Sequence, residues 1–268
     1  MKIPLADLTV IIPFFNDTPK IYRAIYSIIN QSLQVKEIII INDASNRLHT
    51  KNLLNFLKMI KKKFFSNIKI INLKKNLGPG SARNAGWNKA KTRYIAFLDS
   101  DDSWHPRKVE LQYNFMIRNK QVDISGHSST NNFKNTNGNW EKQVKKLKFY
   151  FISKHFLLFH NFFTTPTVML KKNINIKFQE NKYYTEDFLL WLECIFSKLK
   201  IVYIKETLTY LHKPRLGHSG LTKNITKMSE GERNTYKVLY DKNYISKPLY
   251  FLCIIISYFK IIKRKFFR

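Results

Sequence analysis

Asp99-Ser100-Asp101-Asp102 puts three carboxylates within four residues. Just before them, Tyr94-Ile95-Ala96-Phe97-Leu98 is a short apolar run of β-forming residues, which predicts a buried strand ending abruptly in acid. Carboxylates this close repel one another and lose hydration unless something cationic sits between them. In an open α/β sheet, ligands bind outside the carboxyl ends of the strands. A divalent cation carrying a phosphorylated ligand meets both conditions, because hard cations take carboxylate oxygens and share substrate phosphates. The plainer alternative is a solvated acidic turn, with Asp102 or Ser103 capping a helix that begins near Pro106.

The elements that must position this loop follow from the apolar pattern. Leu8–Phe14 reads as a fully buried first strand closed by Pro13, and Glu37–Ile41 as a second that runs into Asn42-Asp43-Ala44-Ser45. A helix starts at Asn16-Asp17-Thr18-Pro19 and runs to about Gln31. A second covers Asn52 to Phe65, and Ile68–Leu73 is a third strand. Asn76-Leu77-Gly78-Pro79-Gly80 is a turn into a helix of small residues around Ser81–Trp87. The β-α-β-α-β-α-β alternation predicts a mostly parallel sheet with right-handed crossovers, so the polar loops after strands one, two and four gather at one edge.

Beyond the acidic loop the pattern predicts a helix over Pro106–Asn119 and a strand over Val122–Ser128, then a polar loop over Ser129–Trp140 containing Gly138. Ser153–Asn161 reads as helix and Thr167–Leu170 as a short strand. Glu186-Asp187 leads into an apolar helix, Phe188–Phe196. Ile201–Ile204 and Thr207–Leu211 read as two strands, followed by the His- and Gly-containing loop His212–Thr222 and a polar helix over about Thr226–Lys242.

Composition narrows the class. The chain has 268 residues, 44% hydrophobic, enough for one α/β domain with an appendage and incompatible with global disorder. Its 47 Lys+Arg against 18 Asp+Glu give a net charge of +29, which predicts an anionic partner: nucleic acid, anionic lipid or a phosphorylated substrate. Cys194 and Cys253 are far apart and show no Cys-x-x-Cys spacing, so neither a zinc site nor a disulfide framework is expected. The segment MKIPLADLTVIIPFF is interrupted by Asp7 and is not expected to be a signal peptide, which predicts a cytoplasmic chain.

The motifs TVIIPFFN, NDAS, NLGPGSARNAG, FLDSDD and YTEDFLLWL, in that order over roughly residues 8 to 222, resemble the family 2 glycosyltransferases of the GT-A fold. The resemblance implies a Rossmann-like sheet flanked by helices. It divides the chain into a catalytic domain over 1–222, with a nucleotide-sugar half at 1–128 and an acceptor half at 129–222. A helical, basic, membrane-associating extension follows over 223–268.

The resemblance also implies roles. Asp43 would accept a hydrogen bond from the donor base, as a carboxylate at a strand end can, although an Asx turn at Asp43-Ala44-Ser45 would occupy it equally. Pro13 and Phe14 would line the base pocket. Arg83 would lie near the nucleotide and offer a planar donor fork to base or phosphate, unless it is a solvated helix arginine. Asp99 would hold the donor ribose and Asp101 would be the principal ligand of Mn²⁺ or Mg²⁺. Asp102 is either a third member or a helix cap. Asp187 would be the general base of an inverting transfer, with Glu186 beside it, unless both acids merely complement a helix N-terminus. Relatives carry a His near the metal or diphosphate. Here His212 and His218 both qualify, and spacing does not choose between them. Lys213 and Arg215 are further candidates for the diphosphate.

The expected reaction is therefore transfer of a sugar from a nucleotide donor, a UDP-sugar by resemblance, to a glycan or lipid-linked acceptor of bacterial surface polysaccharide or lipopolysaccharide. Rival readings are a basic nucleic-acid-binding protein, drawing on the Lys-and-aromatic stretch 145–156, and a metal-dependent nucleotidyltransferase. No helix-turn-helix, zinc or RNP-like signature is present, and acidic loops repel phosphates without a metal, so nucleic acid is not the expected partner. At the C-terminus, Leu249–Phe259 is uncharged but shorter than the roughly 20 residues a spanning helix needs. Helical spacing gathers Lys260, Lys263, Arg264 and Arg268 on one side and Phe259, Ile262 and Phe266 on another, the layout of a helix lying on an anionic membrane surface. A helix folded back on the catalytic domain or pairing with another subunit is the alternative. The predicted location is peripheral, at the inner face of the cell membrane.

Overall fold

A computed structural model of the chain describes residues 5–61, 67–131, 147–213 and 223–266. Its first half alternates β1 (Ala6–Phe14), α1 (Thr18–Ile29), β2 (Val35–Asn42), α2 (Arg47–Lys61), β3 (Asn67–Asn72), α3 (Gly78–Lys89) and β4 (Tyr94–Phe97). The strands lie in the order β3-β2-β1-β4, all parallel, so the chain reverses its direction of growth beside β1. That reversal opens a crevice at the carboxyl ends of β1 and β4, where such sheets take ligands.

β1 is apolar without alternation because both faces of the sheet are covered. Leu8, Val10, Ile12 and Phe14 pack with Ile21, Ala24, Ile25 and Ile28 of α1. Ile11 faces the other way and joins Ile39, Ile41, Ala82 and Trp87. α3 is built of small residues because it lies hard on this second face. A Cβ at Gly86 would come within 2.5 Å of Ile11 Cγ2.

The second half is mixed. β5 (Ser103–Trp104) and α4 (Lys108–Arg118) precede β6 (Ile124–Thr130), β7 (Phe149–Phe151), α5 (Lys154–Phe159), β8 (Met169–Lys171), α6 (Glu186–Phe196) and β9 (Ile201–Tyr210). β8 is antiparallel to β4 and β6 and so joins the halves into one sheet, β3-β2-β1-β4-β8-β6-β9-β5, with β7 also on β9. The longer ladders are parallel, including β6 with β9. α7 (Ile225–Asp241) and α8 (Lys247–Phe266) close the fold.

Several expectations change. The two strands expected over Ile201–Leu211 are one strand, β9, which stays continuous because the β6 ladder absorbs irregularities at Ser128. β5 and β7 are too short to leave a periodic signal and form only by pairing with β9. α4 begins at Lys108 with Arg107 at its cap position, so neither Asp102 nor Ser103 caps it. Most of the polar loop around Gly138 lies outside the described residues. α8 packs on α7, with Tyr250 stacked on Tyr240 at 5.2 Å and Cys253 and Ser257 buried. Among the described residues, no helix is long and apolar enough to cross a membrane.

Candidate active site

Asp43 follows β2 and is 4% exposed. Its N–H donates to the Phe14 carbonyl, which ties the ends of β1 and β2 together. The Asx turn at this corner belongs to Asn42, whose Oδ1 accepts the Ser45 N–H at 3.0 Å. Asp43 is thereby left for α3: Oδ1 accepts Leu77 N–H at 2.8 Å and Oδ2 accepts Gly78 N–H at 2.9 Å. Burial raises its carboxyl and these two bonds oppose the rise. A carboxylate has about four lone-pair sites, so two bonds leave acceptor capacity. Gly78 holds φ at +80°, and a Cβ there would lie 2.7 Å from the Tyr183 ring. Glycine thus lets the backbone come up to Asp43 under Tyr183.

At the end of β1 the side chains divide by strand alternation. Phe14 shares the face of Ile12 and is 1% exposed within the core, whereas Phe15 is 49% exposed and Pro13 is half-buried. The expectation that Phe14 lines a pocket is corrected. The aromatic ring exposed at this strand end is Phe15.

Arg83 is 3% exposed on α3 and joins the two halves of the chain. Nη2 donates to Asp99 Oδ1 at 2.6 Å and Nη1 donates to Glu186 Oε1 at 2.9 Å. Its guanidinium carbon sits 5.4 Å from the centre of the Phe178 ring. Burial alone would lower its pKa, but the Asp99 and Glu186 carboxylates outweigh that and raise it. The fork expected to reach base or phosphate is spent on these two carboxylates.

Glu186 and Asp187 open α6, behind Thr185 in the left-handed conformation with φ 57°. Burial, then Asp187, raises the Glu186 carboxyl, and Arg83 restrains it. Asp187 is half-buried. Oδ1 accepts the Phe188 N–H at 2.7 Å and Oδ2 accepts the Thr165 hydroxyl at 3.2 Å. Burial raises its pKa above the usual 3.8, and Arg83 opposes the rise. A carboxylate of raised pKa is a stronger base, which suits proton abstraction. Thr165 lies in a 3-10 turn over Thr165–Thr167 and left no signal in the sequence. A cleft of about 500 Å³ opens between residues 181–184 and α7, lined by Tyr183, Tyr184, Lys227, Glu230 and Asn234. The close approach of its walls needs Gly231, where a Cβ would be 2.9 Å from the Tyr184 carbonyl.

In the acidic loop, Asp101 pairs with Lys213 through Oδ2, and its carbonyl accepts from Arg23. Asp102 is 7% exposed and accepts the His212 N–H at 3.2 Å. Burial, then the neighbouring Asp99 and Asp101, pushes its carboxyl up to about 8. The β5–β9 pairing carries His212 to this loop, where Nε2 lies 2.7 Å from Ser103 Oγ. Burial, then Arg23, lowers the imidazole to about 4, so it is neutral near pH 7. His218 and Arg215 lie outside the described residues. Nothing local in the sequence marks α1, and so Arg23, as facing the acidic loop.

The donor set fits a hard divalent ion. Asp101 brings a carboxylate, burial and the neighbouring Asp99 and Asp101 raise the Asp102 carboxyl, and burial and Arg23 lower the His212 imidazole. Among the described residues, no three His, Cys, Asp or Glu side chains form a cage that could hold an ion alone. Mg²⁺ sites often have that form, with one or two carboxylates and the remaining ligands from substrate phosphates and water.

The fold is shared with solved structures of nucleotide-sugar enzymes. The chain resembles Staphylococcus aureus TarS 1–349 in complex with UDP-GlcNAc, with a TM-score of 0.66 and 19% identity over 87% of this chain and 66% of that one. It resembles the mannosyltransferase PcManGT of Pyrobaculum calidifontis in complex with GDP-Man and Mn²⁺, with a TM-score of 0.64 and 12% identity over 95% and 69%. The architecture is the GT-A fold, a mostly parallel sheet flanked by helices. The pattern of glycosyl transferase family 2 matches residues 9–179, and the chain belongs to that family.

Relatives agree. An uncharacterised glycosyltransferase of Haemophilus influenzae is 30% identical over 99% of this chain and 100% of its own length. The uncharacterised glycosyltransferase MJ1057 of Methanocaldococcus jannaschii is 31% identical over 75% of this chain and 69% of its own. The poly(ribitol-phosphate) β-N-acetylglucosaminyltransferase TarP of S. aureus is 38% identical over 46% of this chain and 36% of its own.

Proposed function

We propose that this glycosyltransferase is inverting and metal-dependent and moves a sugar from a UDP-sugar to a hydroxyl of a cell-surface glycan. The observation that carries the reading is the Arg83 clamp, which fixes the donor-side Asp99 against the Glu186-Asp187 pair. The likeness to TarS bound to UDP-GlcNAc supports a UDP donor, and the likeness to TarP supports a surface-glycan acceptor. That acceptor, as a free or lipid-linked glycan, would be met at the inner face of the cell membrane.

In this reading Asp43 accepts from the base, Phe15 and Pro13 flank it, and Asp99 holds the ribose. The acceptor enters by the cleft at Tyr183 and Tyr184. Asp187 takes the proton from the acceptor hydroxyl as its oxygen attacks the anomeric carbon. The bond from that carbon to the diphosphate oxygen breaks, and the electron pair leaves with UDP. One transfer with one base inverts the anomeric centre, and no covalent intermediate is needed. Asp101, with His212 beside it, would hold Mn²⁺ or Mg²⁺, which when bound neutralises charge on the leaving diphosphate. Lys213, paired with Asp101 here, would be near enough to add its charge to the same phosphates.

The experiment is a screen of nucleotide sugars for thermal stabilisation and for turnover, with Mn²⁺, with Mg²⁺ and with chelator. Stabilisation and cation-dependent turnover confined to UDP-sugars are expected. Turnover of a GDP- or CMP-sugar alone, or turnover unaffected by chelator, would refute the donor or the metal respectively.

A further inference from the structure

One face of α8 is bare. Phe251, Leu252, Ile255, Tyr258, Phe259 and Ile262 are 47% to 67% exposed. At 3.6 residues per turn they fall within about 120° of the helix circumference. The opposite face is the one that packs, through Cys253 and Ser257. Lys260 lies on that packed side, where its Nζ donates to Glu232 at 2.7 Å and to the Phe159 carbonyl at 2.9 Å. The expectation that Lys260 faces headgroups is therefore corrected, since it ties α8 to α7 and α5. Folding back and presenting a free apolar face are not alternatives, because α8 does both.

The Lys260 tie sets the later half of α8 against the end of α5, one turn from Phe156, which is 48% exposed. Cations border the bare stripe. Arg233 lies over the Tyr258 ring at 4.8 Å, and Lys247 is exposed at the start of α8. A contiguous exposed apolar stripe marks an interaction surface, and its charge selects the partner. With a net charge of +29, a second copy of this chain meets like charge, whereas an anionic lipid surface is complementary.

We propose that this face of α8 lies in the plane of an anionic phospholipid surface, with its aromatic and aliphatic side chains at the acyl boundary and its basic border at the headgroups. The proposal gives the reading above its meeting place with a lipid-linked acceptor and rests on that reading for its purpose. Its test does not read turnover. The full chain is sedimented with sucrose-loaded vesicles of phosphatidylcholine alone or mixed with phosphatidylglycerol, at low and high salt. Binding to the phosphatidylglycerol vesicles is expected, with weaker binding at high salt. The combined Phe251→Ser, Ile255→Ser and Phe259→Ser variant is expected to bind at least about tenfold more weakly. Its thermal transition should stay near that of the parent, and the single Phe259→Ser variant gives a milder second reading. Equal binding to phosphatidylcholine alone, undiminished binding by the triple variant, or no binding by the parent overturns the proposal. A dimer that the triple variant dissolves, without vesicle binding, would assign the face to a second copy. Vesicle binding by a chain that turns over no nucleotide sugar would count against the proposed function and leave the docking surface standing.

Discussion

Arg83 and Asp99 meet at 2.6 Å through Nη2 and Oδ1, across the crevice where β4 ends. The other arm of the same guanidinium holds Glu186, which lies 103 residues away in sequence. A single buried cation therefore ties the end of β4 to the start of α6.

Removing that cation should be costly. Arg83→Ala leaves Glu186, with a side chain only 10% exposed, as an uncompensated buried charge. Losses of about 3–5 kcal/mol follow when one partner of a buried pair is deleted. Urea unfolding would measure the change. Arg83→Lys should recover only part of it, since an ammonium cannot serve both carboxylates with a fork. A loss below about 1 kcal/mol in the alanine variant would mean that the pair behaves as a surface ion pair.

The pH dependence should report Asp187. Burial raises its carboxyl above the usual 3.8. Base catalysis requires the ionised form, so activity is present above that raised value and is lost as pH falls through it. The Thr165 hydroxyl bond stabilises the ionised form. Thr165→Val should therefore move the acid limb of kcat/KM to higher pH, by up to about one unit. A limb that stays in place or moves down would separate Thr165 from the titrating group.

The metal assignment has its own reading. Asp101→Asn should abolish Mn²⁺-supported turnover while the thermal transition stays close to that of the parent, because the side chain is partly exposed and pairs only near the surface with Lys213. Mn²⁺ affinity measured in the presence of UDP should fall in parallel. Unchanged affinity and turnover would remove Asp101 from the metal site.

The parts of this site readable in sequence were those encoded locally. Apolar runs that end in carboxylates marked the ends of β2 and β4, and Glu186-Asp187 before an apolar helix marked the start of α6. What stayed hidden was set by distant contact. Nothing near Arg83 announces Glu186, and nothing near Asp101 announces Lys213. Phe14 and Phe15 are the same residue type side by side, and only the covered face of β1 decides which one is buried. β5 spans two residues and exists because β9 lies beside it, yet it is what delivers His212 to the acidic loop. Lys260 reads as one more basic residue until Glu232 is seen opposite it.

The central claim is that Asp187 is the base and does not hold the donor. The most direct measurement compares Asp187→Asn with the parent for both turnover and UDP affinity. Turnover should fall by about a hundredfold or more, the range for loss of a general base, while the UDP dissociation constant changes little. Weakened UDP binding with turnover per bound donor preserved would contradict the claim.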